Sequence, residues 1–474
     1  MNKRLQTILY ILSDYITASA SWACFFVFRK LYIEIGQEGV HAPIEFNDTF
    51  YKGLISIPFF WLLLYAITGY YKSPFRKSRL IELGQTISIT FIGVIILFFA
   101  LLLDDFINSY KAYYQSFLSL FFIHLFITYF FRFCITTNTV RKIQSRRIGF
   151  NTLMIGSNTN ALNLYNEMQS QSKSSGNKFI GFVHIENKNG KGHLLKEQLP
   201  HLGEFSDLKN IITQNNVEEV IVAIESWEHE FIGKIINELQ EYSTIIIKVI
   251  PDMYDILSGS VKMNSIFGAP LIEISHHIMP TWQQVAKRVI DVSVSLIVLI
   301  LFSPLYIVIA ILVKSGSKGP ALYNHERIGI HGKPFNIYKF RSMYIDAEKN
   351  GPALSSKTDP RITPFGKFMR KVRLDEIPQF YNVLIGDMSI VGPRPERQYY
   401  IDLIVKQAPH YRHLLKVRPG ITSWGQVKYG YAETVEEMVQ RLKYDVLYIE
   451  NMSILVDFKI LIYTVLIVVQ GRGK

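Results

Sequence analysis

The chain has 474 residues, of which 49% are hydrophobic, 14% aromatic and only 19% charged. That length suits roughly three domains, and the composition excludes both disorder and an ordinary water-soluble enzyme, in which about 25% of residues are charged. Lysine and arginine number 51 against 39 acidic residues, a formal charge of +12 that suits lipid headgroups, phosphorylated molecules or nucleic acid without choosing among them.

Four apolar stretches, about 5–28, 51–71, 85–103 and 112–131, approach the roughly 20 residues a helix needs to span a bilayer. No cleavage pattern follows the first, so it reads as a retained helix. Charge orients the set. Lys3 and Arg4 precede it, and Glu34, Glu38, Glu45 and Asp48 fill the first connection. Lys72, Arg76, Lys77 and Arg79 fill the second, Asp104 and Asp105 the third, and Arg141, Lys142, Arg146 and Arg147 follow the fourth. This alternation puts the residues after about 140 on the cytoplasmic side. Cys24 and Cys134 sit in apolar stretches, which predicts two buried thiols and no disulfide or zinc site. Asp14 falls inside the first stretch and reads as a polar path, an interfacial residue or a hydrogen-bonding partner of a neighbouring helix.

From about 150 to 275, short β-rich runs alternate with helical segments such as 159–170 and 228–241, predicting a small α/β domain on a parallel sheet. After its first strand, Gly156 to Ala161 carries the first glycine of a dinucleotide fingerprint, but Asn158 replaces the second. A structural or regulatory role therefore fits better than a working cofactor site.

A fifth apolar run covers Val294 to Val313. Its flanks are both basic, with Lys287 and Arg288 before it and Lys314, Lys318, Arg327 and Lys333 after it, and Ser303-Pro304 interrupts it. A proline-kinked span satisfies hydropathy, yet a re-entrant helix over about 283–313, broken at Ser303 and Pro304, also satisfies the charges. The last run, Ile454 to Val469, is short for a span and carries Asp457 and Lys459, so it is predicted to lie along the membrane interface.

Between 314 and 450 the chain is polar, basic and rich in turns. Asp375 and Glu376 lie between Arg370, Lys371 and Arg373 on one side and Arg394 and Arg397 on the other. Acids among cations suit phosphate chemistry: arginines clamp phosphoryl oxygens, a divalent cation bridges carboxylate to pyrophosphate, and a carboxylate can itself attack phosphorus. An isolated acid pair usually only forms surface ion pairs. Here three more basic, turn-rich segments, Arg327 to Met343, Thr358 to Lys371 and Lys416 to Val427, favour an anion-binding surface.

Taken in order, "KRVID" (Lys287 to Asp291), Ser303-Pro304, "YKFRSM", "DPRIT", "LDEIPQFYNVLIGDMSIVGPRPE", "RPGITSWGQV" and "KYDVLYIENMS" resemble the bacterial sugar transferase family of monotopic polyprenyl-phosphate hexose-1-phosphate transferases. The four leading helices and the α/β segment are similar to its long form. The resemblance implies a membrane α plus α/β fold: a transmembrane domain over 1–140, a degenerate Rossmann-like domain over 141–275 that is not catalytic, and a monotopic catalytic α/β domain over 281–474. It implies that Asp375 attacks the sugar-bearing phosphate of a UDP-hexose and expels UMP, that Glu376 holds Mg²⁺, and that undecaprenyl phosphate then takes the phosphosugar. Lys339, Arg341, Arg373, Arg394 and Arg418 match basic phosphate-binding positions, and Asp445 matches a further acidic one. Ser342 stands where the family usually has threonine, which keeps a hydroxyl.

The implied setting is the bacterial inner membrane, with a multi-pass chain, a cytoplasmic catalytic domain, membrane lipid as partner, no nucleic acid, and a homodimer left open. The product would begin exopolysaccharide, capsule or O-antigen synthesis. Glucose is the expected sugar, with galactose or an N-acetylhexosamine as alternatives. A membrane-bound dehydratase would need a complete glycine-rich fingerprint after residue 280, where none occurs. A non-enzymatic membrane assembly or sensor protein remains the reading from another class.

Overall fold

The computed structural model describes residues 3–34, 46–102, 110–185, 194–224, 230–239, 245–251, 271–274, 279–345, 347, 359–430 and 432–470. Glu38, Glu45, Asp104 and Asp105, which carry most of the acidic side of the charge alternation, lie outside them. The chain divides into two compact units, Met1–His276 and His277–Lys474.

Among the described residues of the first unit, four helices are long and apolar enough to cross a bilayer. They are α1 (Lys3–Phe28), continued by the π-helical stretch Arg29–Glu34, then α2 (Asp48–Ile67), α3 (Arg79–Leu97) and α4 (Tyr110–Gln144). Their pattern inverts that of a water-soluble bundle. On α4, Ser116, His124, Thr128, Arg132 and Thr136 recur at multiples of four residues and face inward, while Phe122, Phe126 and Phe130 are exposed. Small and polar side chains let helices approach and bond, and lipid receives the aromatic face. Cys24 and Cys134 are free and exposed rather than buried, because each falls on such an outer face.

The predicted fourth stretch ends at 131, yet α4 runs 13 residues further, to Gln144. Arg132 ends the hydropathy signal but not the helix, because its charge is met inside the bundle. Its Nε donates to Asp14 Oδ1 at 2.8 Å and its Nη2 to Oδ2 at 2.9 Å. Tyr71 donates to the same Oδ2 at 2.8 Å, and Arg132 Nη1 reaches Thr86 Oγ1 at 3.2 Å. The guanidinium also sits 4.0 and 3.8 Å from the ring centroids of Tyr65 and Tyr70. Charges inside a bilayer are costly unless paired, so Asp14 is a neighbour-helix partner.

The same unit continues with β1 (Phe150–Ile155), α5 (Thr159–Ser170), β2 (Asn177–His184), β3 (His201–Glu204), α6 (Leu208–Gln214), β4 (Glu219–Val222), α7 (Glu230–Leu239), β5 (Ile246–Val249) and β6 (Ile272–Ile274). The sheet order is β3-β2-β1-β4-β5-β6. Strands β1 to β5 pair in parallel, and their apolar runs pack into the core at Leu153, Ile155, Val183, Val220, Val222 and Ile247. The sheet is mixed rather than wholly parallel, because the edge strand β6 joins β5 antiparallel. Buried Glu219 at the start of β4 accepts from Lys248, from Asn177 and from Arg76 of the α2–α3 connection, which ties that connection to the sheet.

The second unit opens with α8 (Thr281–Leu301) and α9 (Ser303–Gly316), bent by 62°. Pro304 in the first turn of α9 lacks an amide hydrogen to continue the ladder, and Ser303 Oγ turns back to Ile300 O at 2.8 Å. Both legs are tied to the globular part of the unit. Arg288 donates to the carbonyls of Val383 and Leu384, and Lys287 to Val391 O at 2.9 Å and Asp457 Oδ2 at 2.6 Å. On the other leg, Tyr306 donates to Ile377 O, while Ile309 and Val313 pack on Phe340 and Met369.

Next come the antiparallel hairpin β7 (Leu322–Ile328) and β8 (Pro334–Phe340), α10 (Pro364–Lys371), α11 (Gln379–Ile385), and β9 (Ser389–Val391), which pairs in parallel with β10 (Gly420–Thr422). Helices α12 (Gln398–Gln407), α13 (Trp424–Lys428), α14 (Val435–Glu450) and α15 (Ile454–Val469) complete it. Asp457 of α15 turns inward to Lys287 and Tyr448, leaving Leu455, Phe458, Ile462 and Leu466 exposed.

Removing one partner of a buried ion pair strands the other. Asp14→Ala is therefore expected to destabilise the helical bundle by about 3 kcal/mol, while Asp14→Ala combined with Arg132→Met recovers most of that loss. Thermal unfolding of the detergent-solubilised protein, followed for both variants, checks this.

Candidate active site

A cavity of about 320 Å³ opens between the β7–β8 hairpin, the turn after α10 and the segment after β9. In an antiparallel pair, directly opposed residues share a face. Tyr323 opposes Lys339 and His325 opposes Ile337, so Tyr323, His325 and Arg327 alternate along β7 on the same face as Lys339. Those three residues and Lys339 line the cavity.

The acids come from a reversal. Helix α10 is capped by Thr363, whose Oγ1 accepts from Gly366 N, and it ends at Val372. Arg373 then adopts a left-handed φ of 58° and the chain winds into a single 3₁₀ turn, Leu374–Glu376. A left-handed non-glycine residue is uncommon and strained. Here it sets two adjacent carboxylates, Asp375 and Glu376, into the cavity wall at only 8% and 5% exposure.

Cations from separate segments converge on Glu376. Lys339 Nζ lies 2.7 Å from Oε1, Arg394 Nη2 3.6 Å from the same oxygen, and Arg373 Nη1 3.3 Å from Oε2. Burial acts to raise the Glu376 pKa, but Lys339, Arg394 and Arg373 outweigh it and hold the carboxyl well below the usual range. Asp375 moves the other way: burial, then the charge of Glu376, raises it despite Lys339 and Arg370. Burial likewise lowers Lys339, partly offset by Glu376. The site thus combines an acid held towards its charged form with a more basic neighbour, beside the cations Lys339, Arg373 and Arg394.

Elsewhere in the cavity wall, Glu396 joins two arginines, accepting from Arg327 Nη1 at 3.0 Å and from Arg441 Nη2 at 2.7 Å. Burial favours its neutral form, but Arg441 and Arg327 win and lower its pKa.

The residues singled out from sequence separate into groups. Lys339, Asp375, Glu376 and Arg394 come together around the cavity, with Arg373 bonded to Glu376 beside them. Arg341 also reaches the lining, but its guanidinium is engaged elsewhere: it donates to Lys318 O at 2.7 Å, Ser317 O at 2.8 Å and Ser317 Oγ at 3.0 Å. In this position it caps the end of α9 rather than presenting a free fork to phosphate. Arg418 is exposed, lies outside the cavity lining and donates to Gly386 O. Asp445 is also outside the lining. It accepts from Gly425 N at 3.1 Å, and a Cβ at Gly425 would come within 2.7 Å of its Oδ2, so this acid joins α13 to α14. Its carboxyl is raised by burial against the pull of Arg441. Ser303 and Pro304 stand at the bend between α8 and α9.

Sequence reasoning did not single out His325, Glu396, Tyr400 or Arg441, all of which line the cavity. The period-two spacing of Tyr323, His325 and Arg327 was the available signal for His325. No group of three or more His, Cys, Asp or Glu side chains able to hold a metal occurs among the described residues. Mg²⁺ needs only one or two carboxylates when water and phosphate oxygens complete its shell. Asp375 and Glu376 fit that donor set if the ion arrives with a pyrophosphate.

The chain matches the family model described as bacterial sugar transferase over residues 282–471 and one described as CoA-binding domain over 66–251. It is 37% identical over 271 residues to the UDP-glucose:undecaprenyl-phosphate glucose-1-phosphate transferase of Klebsiella pneumoniae, covering 56% of this chain and 57% of that one. The match thus spans little more than half of that relative's length. The Caulobacter vibrioides protein of the same name is 40% identical over 181 residues, 38% of this chain and 68% of its own. The undecaprenyl-phosphate galactose phosphotransferase of Salmonella typhimurium is 29% identical over 497 residues, 100% of this chain and 98% of its own.

Glu396 has a folded pKa below its unfolded one. The stability it contributes is complete above the ordinary glutamate value, about 4.3, and is lost as pH falls from there through the lower folded value. Glu396→Gln is expected to cost about 3 kcal/mol at neutral pH and to flatten the acid limb of the unfolding curve. Chemical denaturation at several pH values measures both.

Proposed function

The chain belongs to the bacterial sugar transferase family, and from that membership we propose that it transfers hexose-1-phosphate, with glucose the first candidate, from a UDP-hexose to undecaprenyl phosphate and releases UMP. The observation that carries the reading is the buried pair Asp375 and Glu376 in the wall of one cavity, under Lys339 and Arg394.

The chemistry runs in two displacements. A carboxylate oxygen of Asp375 attacks the sugar-bearing phosphorus, a new P–O bond forms, and the bond to the bridging oxygen breaks so that UMP leaves with that oxygen. An oxygen of undecaprenyl phosphate then attacks the same phosphorus and frees Asp375, giving undecaprenyl diphosphate-hexose. Splitting the exchange lets each substrate meet one nucleophile in turn. Lys339, Arg373 and Arg394 would stabilise charge on the transferring phosphoryl group. Glu376 would hold Mg²⁺, which when bound neutralises charge on pyrophosphate oxygens.

The bent pair α8–α9 supports a re-entrant reading. Lys287 and Arg288 at one leg and Arg341 at the end of the other tie both to the same unit, while Ile297, Ile300, Leu301, Phe302 and Ile307 at the elbow are exposed. The apolar stretch from Val294 to the bend reaches roughly 12 Å at 1.5 Å per residue, less than half of a bilayer's hydrocarbon core of about 30 Å. This would seat the active site against the cytoplasmic face of the bacterial inner membrane, where a soluble UDP-sugar and a lipid phosphate can both reach it. Residues 141–275 would form a Rossmann-like domain without a catalytic role. Parallel strands in the order 3-2-1-4-5 support this. So does Asn158 at the position where a dinucleotide site needs a second glycine. The relatives are named for glucose, galactose and N-acetylgalactosamine transfer, so the sugar is decided by assay rather than by likeness.

Purified protein with Mg²⁺, undecaprenyl phosphate and a panel of UDP-sugars is expected to release UMP fastest with UDP-glucose. Asp375→Asn should reduce the rate by about a thousandfold or more. With acceptor withheld, mass spectrometry should find a hexose-phosphate adduct on Asp375. UMP release by Asp375→Asn at the parental rate removes the nucleophile, and an unchanged rate after chelation removes Glu376 from metal binding. A cysteine placed within 315–325 should resist an impermeant thiol reagent added outside intact cells, whereas labelling there would make the bent pair a span.

A further inference from the structure

The cavity has two chemically different ends. Leu322 and Arg327 both line it and stand on the same strand, β7, roughly 17 Å apart at about 3.3 Å per residue. At the Arg327 end the wall is ionic: Glu396 meets Arg327 and Arg441, and Arg394 and Arg397 also line the cavity. At the other end the wall is apolar and open. Leu322, Tyr323, Tyr344 and Ile345 line the cavity and are 49, 38, 48 and 62% exposed, so a bound molecule can touch them. Glu376 is reached from both sides, by Lys339 opposite Tyr323 and by Arg394.

This apolar rim is fastened to one leg of the bent helical pair. Arg341 N donates to Ala321 O at 2.9 Å, and its guanidinium binds the carbonyls of Ser317 and Lys318 just past the end of α9. A side chain at Gly319 would collide with both Arg341 and Ile345, so Ile345 packs directly over the chain leaving α9. Helix α9 itself exposes Ile307, Val308, Ile311 and Leu312. Large apolar side chains left exposed beside a cavity mark a contact with ligand or lipid.

We infer that the rim formed by Leu322, Tyr323, Tyr344 and Ile345 receives the first isoprene units of undecaprenyl phosphate, which brings the acceptor's phosphate to the acids from the α9 side and leaves the Arg327 end to the nucleotide. This rests on the transferase reading above and adds to it the side from which each substrate arrives. A prenyl chain gains by exchanging water for an apolar wall. A hexose set against Leu322 and Ile345 would leave hydroxyls unpaired, and a diphosphate matches the arginines instead.

Leu322→Asn combined with Ile345→Asn should raise KM for undecaprenyl phosphate about tenfold at fixed detergent, with KM for UDP-hexose at the parental value. Leu322→Met combined with Ile345→Leu keeps the wall apolar and should match the parent in both constants. An unchanged acceptor KM overturns the inference, as does equal impairment in the conservative pair. So does an equal rise in both constants, which would mean that the rim touches the donor or only shapes the site. Should the asparagine variant fail to fold, the parent decides. Irradiated with a polyprenyl phosphate that carries a diazirine on its first isoprene unit, it should be labelled within 320–323 or 344–345. Labelling confined to other segments overturns the inference. A parent that releases no UMP from UDP-hexose removes the transferase reading itself.

Discussion

Placing two neighbouring, largely buried acids in one cavity wall is the constraint on which the rest of the second unit depends. Adjacent carboxylates repel, and burial disfavours both charges. The solution is to overcompensate one of them. Lys339, Arg373 and Arg394 come from a strand, a left-handed reversal and a turn after another strand, and all meet Glu376. With Glu376 neutralised, Asp375 bears less repulsion and can sit beside it. A strand residue, Lys339, is thereby held at the same point as the reversal and the later turn.

The same arithmetic repeats elsewhere in the cavity wall. Glu396 absorbs the charges of Arg327 and Arg441, so the basic side of the cavity is backed by an acid rather than by hydrocarbon. Asp445 stands behind Arg441 at 3.9 Å and ties down the backbone of α13 through Gly425. Charge alternates from cavity to core, and each removal strands a partner. Cations that outnumbered acids at the cavity surface without such backing would fold poorly before any phosphate arrived.

The helical bundle applies this rule in a harsher solvent. Asp14 and Arg132 meet inside it with two hydrogen bonds between them, and Tyr71 and Thr86 supply further bonds. The lipid-facing surface is left to phenylalanine and aliphatic side chains. In both units the pairs Asp14–Arg132, Lys339–Glu376 and Arg441–Glu396 bury opposite charges together.

Much of this architecture was legible in the chain itself. Hydropathy locates four helices, and period and length locate the α/β segment, because these signals are local. The break at Ser303-Pro304 follows from proline's missing amide hydrogen. The acid pair and its flanking arginines stand within about twenty residues of one another, so their chemistry could be read directly. Tertiary structure alone decided where the long side chains reach. Arg341 caps a helix end, Arg418 turns to a backbone carbonyl outside the cavity, and Asp445 secures a glycine. Composition likewise could not tell that the two cysteines face outward, or that the last strand of the sheet runs against its neighbour. The physical reason is the same throughout: a residue's type sets what it can bond, but which partner lies within reach is a property of the packed chain.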